Sequence, residues 1–117
     1  MDIEFVGFGE IAVDGKTYEY DVIVHRGKVR RRKKAPSKTY RIQFGHTPLS
    51  VDEDIPWSAD RLVVGTGADG RLPVMQEVRA MAMARGVELI ELPTPDAVEL
   101  LRSAKPKKVN AIIHVTC

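Results

Sequence analysis

The glycine-rich segment Gly65–Gly70 reads Gly-Thr-Gly-Ala-Asp-Gly, which has the spacing G-x-G-x-x-G. It follows an apolar run typical of a strand and precedes a helical pattern, the setting in which such a loop holds a dinucleotide pyrophosphate. Two residues argue against that use. Asp69 puts a carboxylate in the turn, and Pro73 delays the helix beyond the last glycine. We therefore predict a structural turn whose backbone N–H groups are suited to a small anion rather than to a dinucleotide.

His46 lies in a stiff segment, Gly45-His46-Thr47-Pro48, and is the side chain we expect to titrate near neutral pH. A histidine in this position is able to act as a general base or contact a phosphate group, or it bonds only to nearby backbone groups. His46 is our one catalytic candidate. The candidate ligand-binding residues are Gly45, His46, Thr47, Gly65, Thr66 and Gly67.

His114 and Cys117 are the other residues with reactive side chains near each other in the sequence. Odd spacing along a strand places side chains on opposite faces, so we expect no Cys-His nucleophilic pair here and no pair of metal ligands. The sequence contains no phosphate-binding Walker loop and no H-E-x-x-H motif. We predict no metal site and no cofactor.

Positive charge is concentrated between residues 26 and 41, which contain no Asp or Glu. Such a run stays solvated and attracts polyanions. Within it we predict a polyanion patch formed by Arg30, Arg31, Arg32, Lys33 and Lys34. No aromatic side chain is interleaved before Tyr40, so no stacking platform for single-stranded nucleic acid is visible. The alternative is a solvated surface whose acidic partners lie elsewhere in the fold.

Size and composition indicate one globular domain. The chain has 117 residues, 44% hydrophobic and 29% charged, and a net charge of +2 that by itself implies no partner. A single cysteine excludes an internal disulfide. No apolar stretch approaches the roughly 20 residues of a membrane span, and the acidic start Met1–Glu4 does not resemble a signal peptide. We expect a cytoplasmic protein with no membrane partner.

Residues 1–44 carry patterns typical of antiparallel strands. Asp14-Gly15 predicts a tight turn, and alternation from Tyr18 to Val24 predicts a strand. A turn at Arg26-Gly27-Lys28 leads into a basic strand that Pro36 interrupts. Alternating apolar residues from Tyr40 to Phe44 predict one further short strand.

Residues 45–117 predict the order strand, helix, strand, helix, strand. Ser50 with Glu53 fits a capping box that opens a short helix before Pro56. Strands are expected at 61–64, 87–92 and 109–115. Helices are expected from Pro73 to a left-handed stop at Gly86, and from a Thr94 cap onward. This order predicts a single three-layer α/β domain. Its central sheet is mixed and mainly parallel, with an additional N-terminal antiparallel part.

Several segments in this order are familiar as a set: Asp21–Val24, Gly45–Ser50, Gly65–Gly67, Pro93-Thr94 followed by Ala97, and Ala111–Cys117. Together they resemble a family of small α/β domains of unassigned biochemical function. The family includes an adipogenesis-associated protein and, more distantly, a mitochondrial assembly factor of respiratory complex I. The resemblance implies a mixed central sheet with an extra antiparallel part, and no established reaction or cofactor.

Three functions remain open from the sequence. The first is a non-enzymatic binding or assembly module, acting on a protein partner, with a small cleft near Gly65–Gly67 and His46. The second is a small enzyme, or a protein that binds an anion or nucleotide in the same cleft. The third is an RNA-binding protein that uses the basic run from Arg26 to Arg41. We expect the first, and a protein that is not an enzyme.

Overall fold

The structure is a computed structural model that describes residues 1–117. It contains eight strands and three α-helices, with a 3₁₀ helix at Ala35–Tyr40 directly before the first of them. The strands are β1 (Ile3–Gly7), β2 (Glu10–Val13), β3 (Lys16–Tyr18), β4 (Val22–His25), β5 (Lys28–Arg31), β6 (Arg61–Thr66), β7 (Glu88–Leu92) and β8 (Val109–His114). The helices are α1 (Arg41–Phe44), α2 (Gln76–Ala84) and α3 (Thr94–Arg102).

The central sheet has five strands in the order β5-β4-β8-β6-β7. Strands β6, β7 and β8 run parallel to one another, as their helical crossovers require. Strand β4 pairs antiparallel with both β5 and β8. The predicted mixed α/β sheet is therefore confirmed, and both halves of the chain contribute strands to it.

Side-chain alternation along the central strands separates two hydrophobic clusters, one on each face of the sheet. In β6, Val63 belongs to the cluster shared with α3 and the N-terminal strands, whereas Leu62 and Val64 belong to the cluster under α2. In β4, Val24 and Ile23 divide in the same way. The result is the predicted three-layer arrangement.

The remaining strands form a separate antiparallel sheet in the order β1-β2-β3, which packs against α3. The predicted turn at Asp14-Gly15 joins two of its strands, with positive φ at both residues. Arg26 and Gly27 also have positive φ and form the turn from β4 to β5. None of the helices combines the length and the hydropathy that a membrane-spanning helix needs.

Two strand predictions are wrong. The expected strand from Tyr18 to Val24 bends at residues 19 and 20, so that β3 and β4 belong to different sheets. The segment from Tyr40 to Phe44 is helical, and Gly45 ends it with a φ of 75°. The alternation there covers too few residues to distinguish a strand from a helix. One of its apolar residues, Ile42, is 99% exposed, so the pattern does not mark a buried face.

Three helix starts also differ from their predictions. No helix forms after Ser50, because Glu53 is buried and binds a distant arginine instead of capping a first turn. Helix α3 does begin at Thr94, but the Thr94 hydroxyl donates to the carbonyl of His114 and accepts from Gly67 N–H. Helix α2 begins at Gln76, three residues after the predicted Pro73. Its stop at Gly86, with a φ of 68°, is as predicted.

Candidate functional site

A buried cluster of charges lies beside the end of β5. The Arg32 guanidinium, 4% exposed, donates to both carboxylate oxygens of Glu53 at 2.8 and 2.9 Å and to Asp21 Oδ2 at 2.8 Å. It also donates to the carbonyl of Pro48 at 3.1 Å. Ser37 donates to Glu53 Oε2 at 2.5 Å. Because every buried polar side-chain atom in the structure has a hydrogen-bond partner, the cluster avoids the penalty of an unpaired buried charge.

Asp21 connects this cluster to the end of β8. Its Oδ1 accepts from the backbone N–H of Val115 at 2.9 Å, and its Oδ2 lies 2.8 Å from His114 Nδ1. Burial by itself raises the pKa of the Asp21 carboxyl, but the hydrogen bonds and charges of His114, Val115 and Arg32 outweigh it and lower the pKa to about 2. Asp21 is therefore ionised at neutral pH.

An ionised carboxylate only accepts hydrogen bonds, so in the neutral ring of His114 the proton belongs on Nδ1. Nε2 is then free to accept, and it lies 3.2 Å from the hydroxyl oxygen of Thr116. The three side chains form a chain of hydrogen bonds from Asp21 through His114 to Thr116. The last two line a cavity open to solvent.

This cavity has a volume of about 380 Å³ and lies at the carboxyl ends of the parallel strands β6 and β8, where α/β sheets place their crevices. We call it the basic cavity. Its lining residues are Arg32, Lys34, Lys38, Arg41, Gly45, His46, Thr47, Arg71, Leu72, His114, Thr116 and Cys117.

Positive charge dominates the lining of the basic cavity. Arg32 is neutralised by its two carboxylates, but Lys34, Lys38, Arg41 and Arg71 form no salt bridge and no side-chain hydrogen bond. These four side chains come from the segment around the 3₁₀ helix, from α1 and from the loop after β6. No Asp or Glu lines the cavity. The arrangement suits an anion, whose binding relieves the repulsion among the cations.

The predicted ligand-binding residues divide into two groups. Gly45, His46 and Thr47 line the basic cavity, whereas Gly65, Thr66 and Gly67 do not. Two of the N–H groups expected to bind an anion at the glycine turn are already used, since Gly67 donates to the Thr94 hydroxyl and Ala68 to the carbonyl of Thr116. These bonds weaken the case for a ligand at the turn, and ligand binding by Gly65, Thr66 and Gly67 stays a prediction.

The glycine turn instead holds the chain segment 115–117 against the sheet. A β-carbon at Gly67, where φ is 106°, would overlap the main-chain carbonyl of Cys117 and lie 2.8 Å from the Thr116 oxygen. Ala68 and Arg71 donate backbone hydrogen bonds to the carbonyls of Thr116 and Cys117. The missing side chain at Gly67 therefore allows the close approach that positions one wall of the basic cavity.

The residues of the predicted polyanion patch do not form one surface, because successive side chains of β5 point to opposite faces of the sheet and Arg32 is buried. Arg30 donates to Asp54 and to His25, and the Arg31 guanidinium lies over the Tyr20 ring at 4.7 Å from its centroid. Arg32 is buried and unavailable to an external polyanion, which corrects that part of the prediction. Lys33 and Lys34 are exposed.

The opposite-face placement predicted for His114 and Cys117 is wrong, whereas the expected absence of a Cys-His pair stays a prediction. Both line the basic cavity, because the strand ends at His114 and the alternation of faces ends with it. Sequence reasoning did not identify Asp21, Arg71 or Thr116 as site residues. Asp21 and Thr116 do lie in segments that carry the family resemblance, which was the one available signal, but that resemblance assigns them no role. Their partners in the site come from distant parts of the chain.

Comparison with known proteins gives a consistent result. The family model described as "Protein of unknown function (DUF498/DUF598)" matches residues 3–114. The chain is 34% identical to a conserved hypothetical protein from Pyrococcus horikoshii OT3, with 100% of each chain covered and a TM-score of 0.78. It is 24% identical to a solved structure named MT938, covering 94% and 93% of the two chains, with a TM-score of 0.67.

A Bartonella henselae protein described as an outer membrane protein shares the fold at 14% identity, covering 95% and 91% of the two chains, with a TM-score of 0.61. No curated protein matches the chain. The relation to an adipogenesis-associated protein or to a complex I assembly factor stays a prediction. The match over residues 3–114 and the full-length likeness to the Pyrococcus protein show that this chain belongs to the DUF498/DUF598 family of proteins of unknown function.

Proposed function

We propose that this protein is a binding module for a small anionic molecule, one that carries phosphate or carboxylate groups and occupies the basic cavity. The observation that carries the proposal is the lining of that cavity. Four cations, Lys34, Lys38, Arg41 and Arg71, meet there with no acidic partner. Elsewhere in the fold, five cations are each paired with a carboxylate and others, such as Arg31 and Lys33, are not, so what distinguishes the cavity is that four unpaired cations line one concave site: the paired ones are Arg30, Arg61, Arg79, Arg102 and Lys108.

The dimensions and the position of the cavity support a small ligand. A volume of about 380 Å³ is within the usual range for small-molecule sites. Arginine side chains bind carboxylate and phosphate groups through two parallel hydrogen bonds, and lysine adds a compact charge. His46 and Thr47 supply further polar groups at the rim.

The RNA-binding hypothesis has less support. Of the basic residues from 26 to 41, Arg32 is buried and Arg30 is paired with Asp54, so the run does not present one continuous charged surface. The basic cavity gathers Lys34, Lys38 and Arg41 from this run but adds Arg71 from a distant loop. A concave group of cations suits a compact anion better than an extended strand.

The proposal is tested by thermal unfolding and calorimetric titration with inorganic phosphate, pyrophosphate, citrate and adenosine triphosphate as probes. A ligand at about ten times its Kd stabilises the folded state by about 1.4 kcal/mol, so we expect at least one probe to raise the Tm by several degrees. Lys38→Ala is expected to weaken binding at least several-fold. Lys107→Ala removes the same charge from an exposed position that does not line the cavity, and it should bind as the wild type does.

Two results would overturn the proposal. The first is the absence of any Tm shift across the four probes at low ionic strength. The second is an equal loss of affinity in Lys38→Ala and Lys107→Ala, which would indicate a general response to net charge. Binding of single-stranded RNA that is weakened by Lys28→Ala and unaffected by Lys38→Ala would favour the RNA hypothesis instead.

A further inference from the structure

Two histidines in this structure contact a hydroxyl group, and they differ in which ring nitrogen carries the proton. Near Trp57, His25 Nε2 lies 2.8 Å from Ser58 Oγ, and Arg30 donates to Nδ1 at 3.1 Å. Because the guanidinium only donates, Nδ1 of His25 accepts, and the proton of the neutral ring is on Nε2. His25 therefore cannot take a proton from Ser58.

The ring of His114 has the opposite arrangement. Asp21 Oδ2 accepts from Nδ1 at 2.8 Å, and Nε2 accepts from Thr116 Oγ1 at 3.2 Å. A hydroxyl that donates to an imidazole nitrogen, with a carboxylate behind the ring, is the arrangement that activates an oxygen nucleophile. Here the three groups come from the segment before β4 and from the end of β8, and they were not brought together by any sequence motif.

The surroundings of Thr116 supply what such a nucleophile needs. Thr116 and His114 both line the basic cavity, so they lie beside the cations of that cavity. The backbone N–H groups of Thr116 and Cys117 donate to no protein acceptor. The carbonyls of the same two residues are held by Ala68 and Arg71, so the segment is fixed in place. An N–H group just after the nucleophile is a common donor to the oxyanion of acyl transfer.

We propose that Thr116, with His114 as general base, accepts an acyl group from a carboxylic ester in the basic cavity. Thr116 Oγ1 forms a bond to the carbonyl carbon while its proton passes to His114 Nε2. The tetrahedral intermediate then expels the alcohol oxygen, which receives that proton. Water, deprotonated by His114 Nε2, attacks the acyl-Thr116 ester and returns the hydroxyl of Thr116, so that ester and water give acid and alcohol. Asp21 is a positioning residue that sets the tautomer of His114.

The preferred ester carries an anionic group, and this preference rests on the proposed function of the cavity. Two probes separate the two proposals. The first is p-nitrophenyl acetate, which is neutral, and the second is the mono-p-nitrophenyl ester of succinic acid, which carries a carboxylate. We expect both to release p-nitrophenolate and to leave an acyl group on Thr116 that mass spectrometry of the C-terminal peptide detects. We expect the anionic ester to react at least ten-fold faster.

Variants of the two hydroxyl–histidine pairs provide matched controls. Thr116→Val and His114→Gln should abolish acylation of residue 116 while Thr116→Ser retains it. His25→Gln should react as the wild type does, because His25 in the wild-type protein is protonated on Nε2 and cannot accept a proton from Ser58. Acylation of Thr116 without preference for the anionic ester would support the catalytic inference and contradict the anion site. Absence of acylation at Thr116 with both esters, or its persistence in His114→Gln, would overturn the inference, as would turnover of p-nitrophenyl phosphate alone.

The tautomer itself gives a test that does not depend on turnover. Nitrogen NMR of the wild-type imidazoles at alkaline pH should show His114 protonated on Nδ1 and His25 protonated on Nε2. Asp21→Asn should shift the His114 population toward the other tautomer, which a purely structural role for Asp21 would not do. If that variant does not fold, the nitrogen NMR signals of the wild-type His114 ring still test the inference. Protonation of His114 on Nε2 would overturn it.

Discussion

His114 Nδ1 and Asp21 Oδ2 are 2.8 Å apart although 93 residues separate them in the sequence. The same carboxylate also receives the guanidinium of Arg32 at 2.8 Å. Asp21 thus links the buried charge cluster to the wall of the basic cavity. We therefore expect a substitution in the charge cluster to alter the position of His114 in the cavity wall, and a substitution of His114 to alter the stability of the cluster.

Acid should destabilise the fold through Asp21. Its folded-state pKa of about 2 is below the ordinary value of 3.8, so its ionised form stabilises the protein above that ordinary value. The stabilisation, about 2 kcal/mol from this difference, is lost as the pH falls through the folded pKa. We expect the free energy of unfolding, measured by urea titration over the acid range, to fall more steeply in the wild type than in Asp21→Asn. Asp69→Asn, at an exposed position, should keep the wild-type slope; equal slopes in all three proteins would refute the assignment.

Removal of Arg32 should be among the most damaging single changes. Arg32→Met leaves Asp21 and Glu53 buried without their shared cation, at a cost of about 3–5 kcal/mol. Arg31→Met removes the neighbouring exposed guanidinium and should cost about 1 kcal/mol or less. Urea unfolding at neutral pH measures both. Adding Glu53→Gln to Arg32→Met should recover part of the loss, and a deficit no larger than that of Arg31→Met would contradict the role of the cluster.

Comparing Gly67 with Gly86 separates the cost of a steric overlap from the cost of backbone strain. Both have positive φ, but nothing lies within 4 Å of a β-carbon at Gly86, whereas at Gly67 the β-carbon overlaps the Cys117 carbonyl. Gly86→Ala should cost about 1–3 kcal/mol through strain alone. Gly67→Ala should cost more and, by moving Thr116 and Cys117, weaken anion binding in the calorimetric titration. Similar losses of unfolding free energy for the two variants would show that the close contact between Gly67 and the Cys117 carbonyl does not contribute to stability.

The Thr94 hydroxyl is expected to matter through its two hydrogen bonds. It is fully buried, accepts from Gly67 N–H at 2.9 Å and donates to the His114 carbonyl at 2.6 Å. Thr94→Val keeps the shape and leaves both backbone groups unsatisfied, at about 1–3 kcal/mol for each. Thr94→Ser restores the hydroxyl and should recover most of the lost Tm in a thermal scan. A Thr94→Val protein as stable as Thr94→Ser would contradict this account.

Local patterns were sufficient to predict the elements whose signals are long or chemically specific. Asp14-Gly15 and Gly86 adopt the positive φ expected of their residue types, and the strands and helices after residue 60 follow their apolar periodicity. The short alternation from Tyr40 to Phe44 was misleading because so few residues fit either period. Ser50 and Glu53 have the spacing of a capping box, but burial of Glu53 against Arg32 is worth more than a first helical turn.

The residues alone predict the mixed α/β fold, the basic run and His46 as a candidate, because these features depend on neighbours along the chain. The assembled fold, in contrast, determines which cations remain free and which histidine has a carboxylate beside its ring. Arg32 is neutralised by Asp21 and Glu53, while Arg71 joins the cavity from another loop. Charge pairing and tautomer depend on distances of about 3 Å between residues far apart in the chain, and such distances exist only once the sheet has assembled.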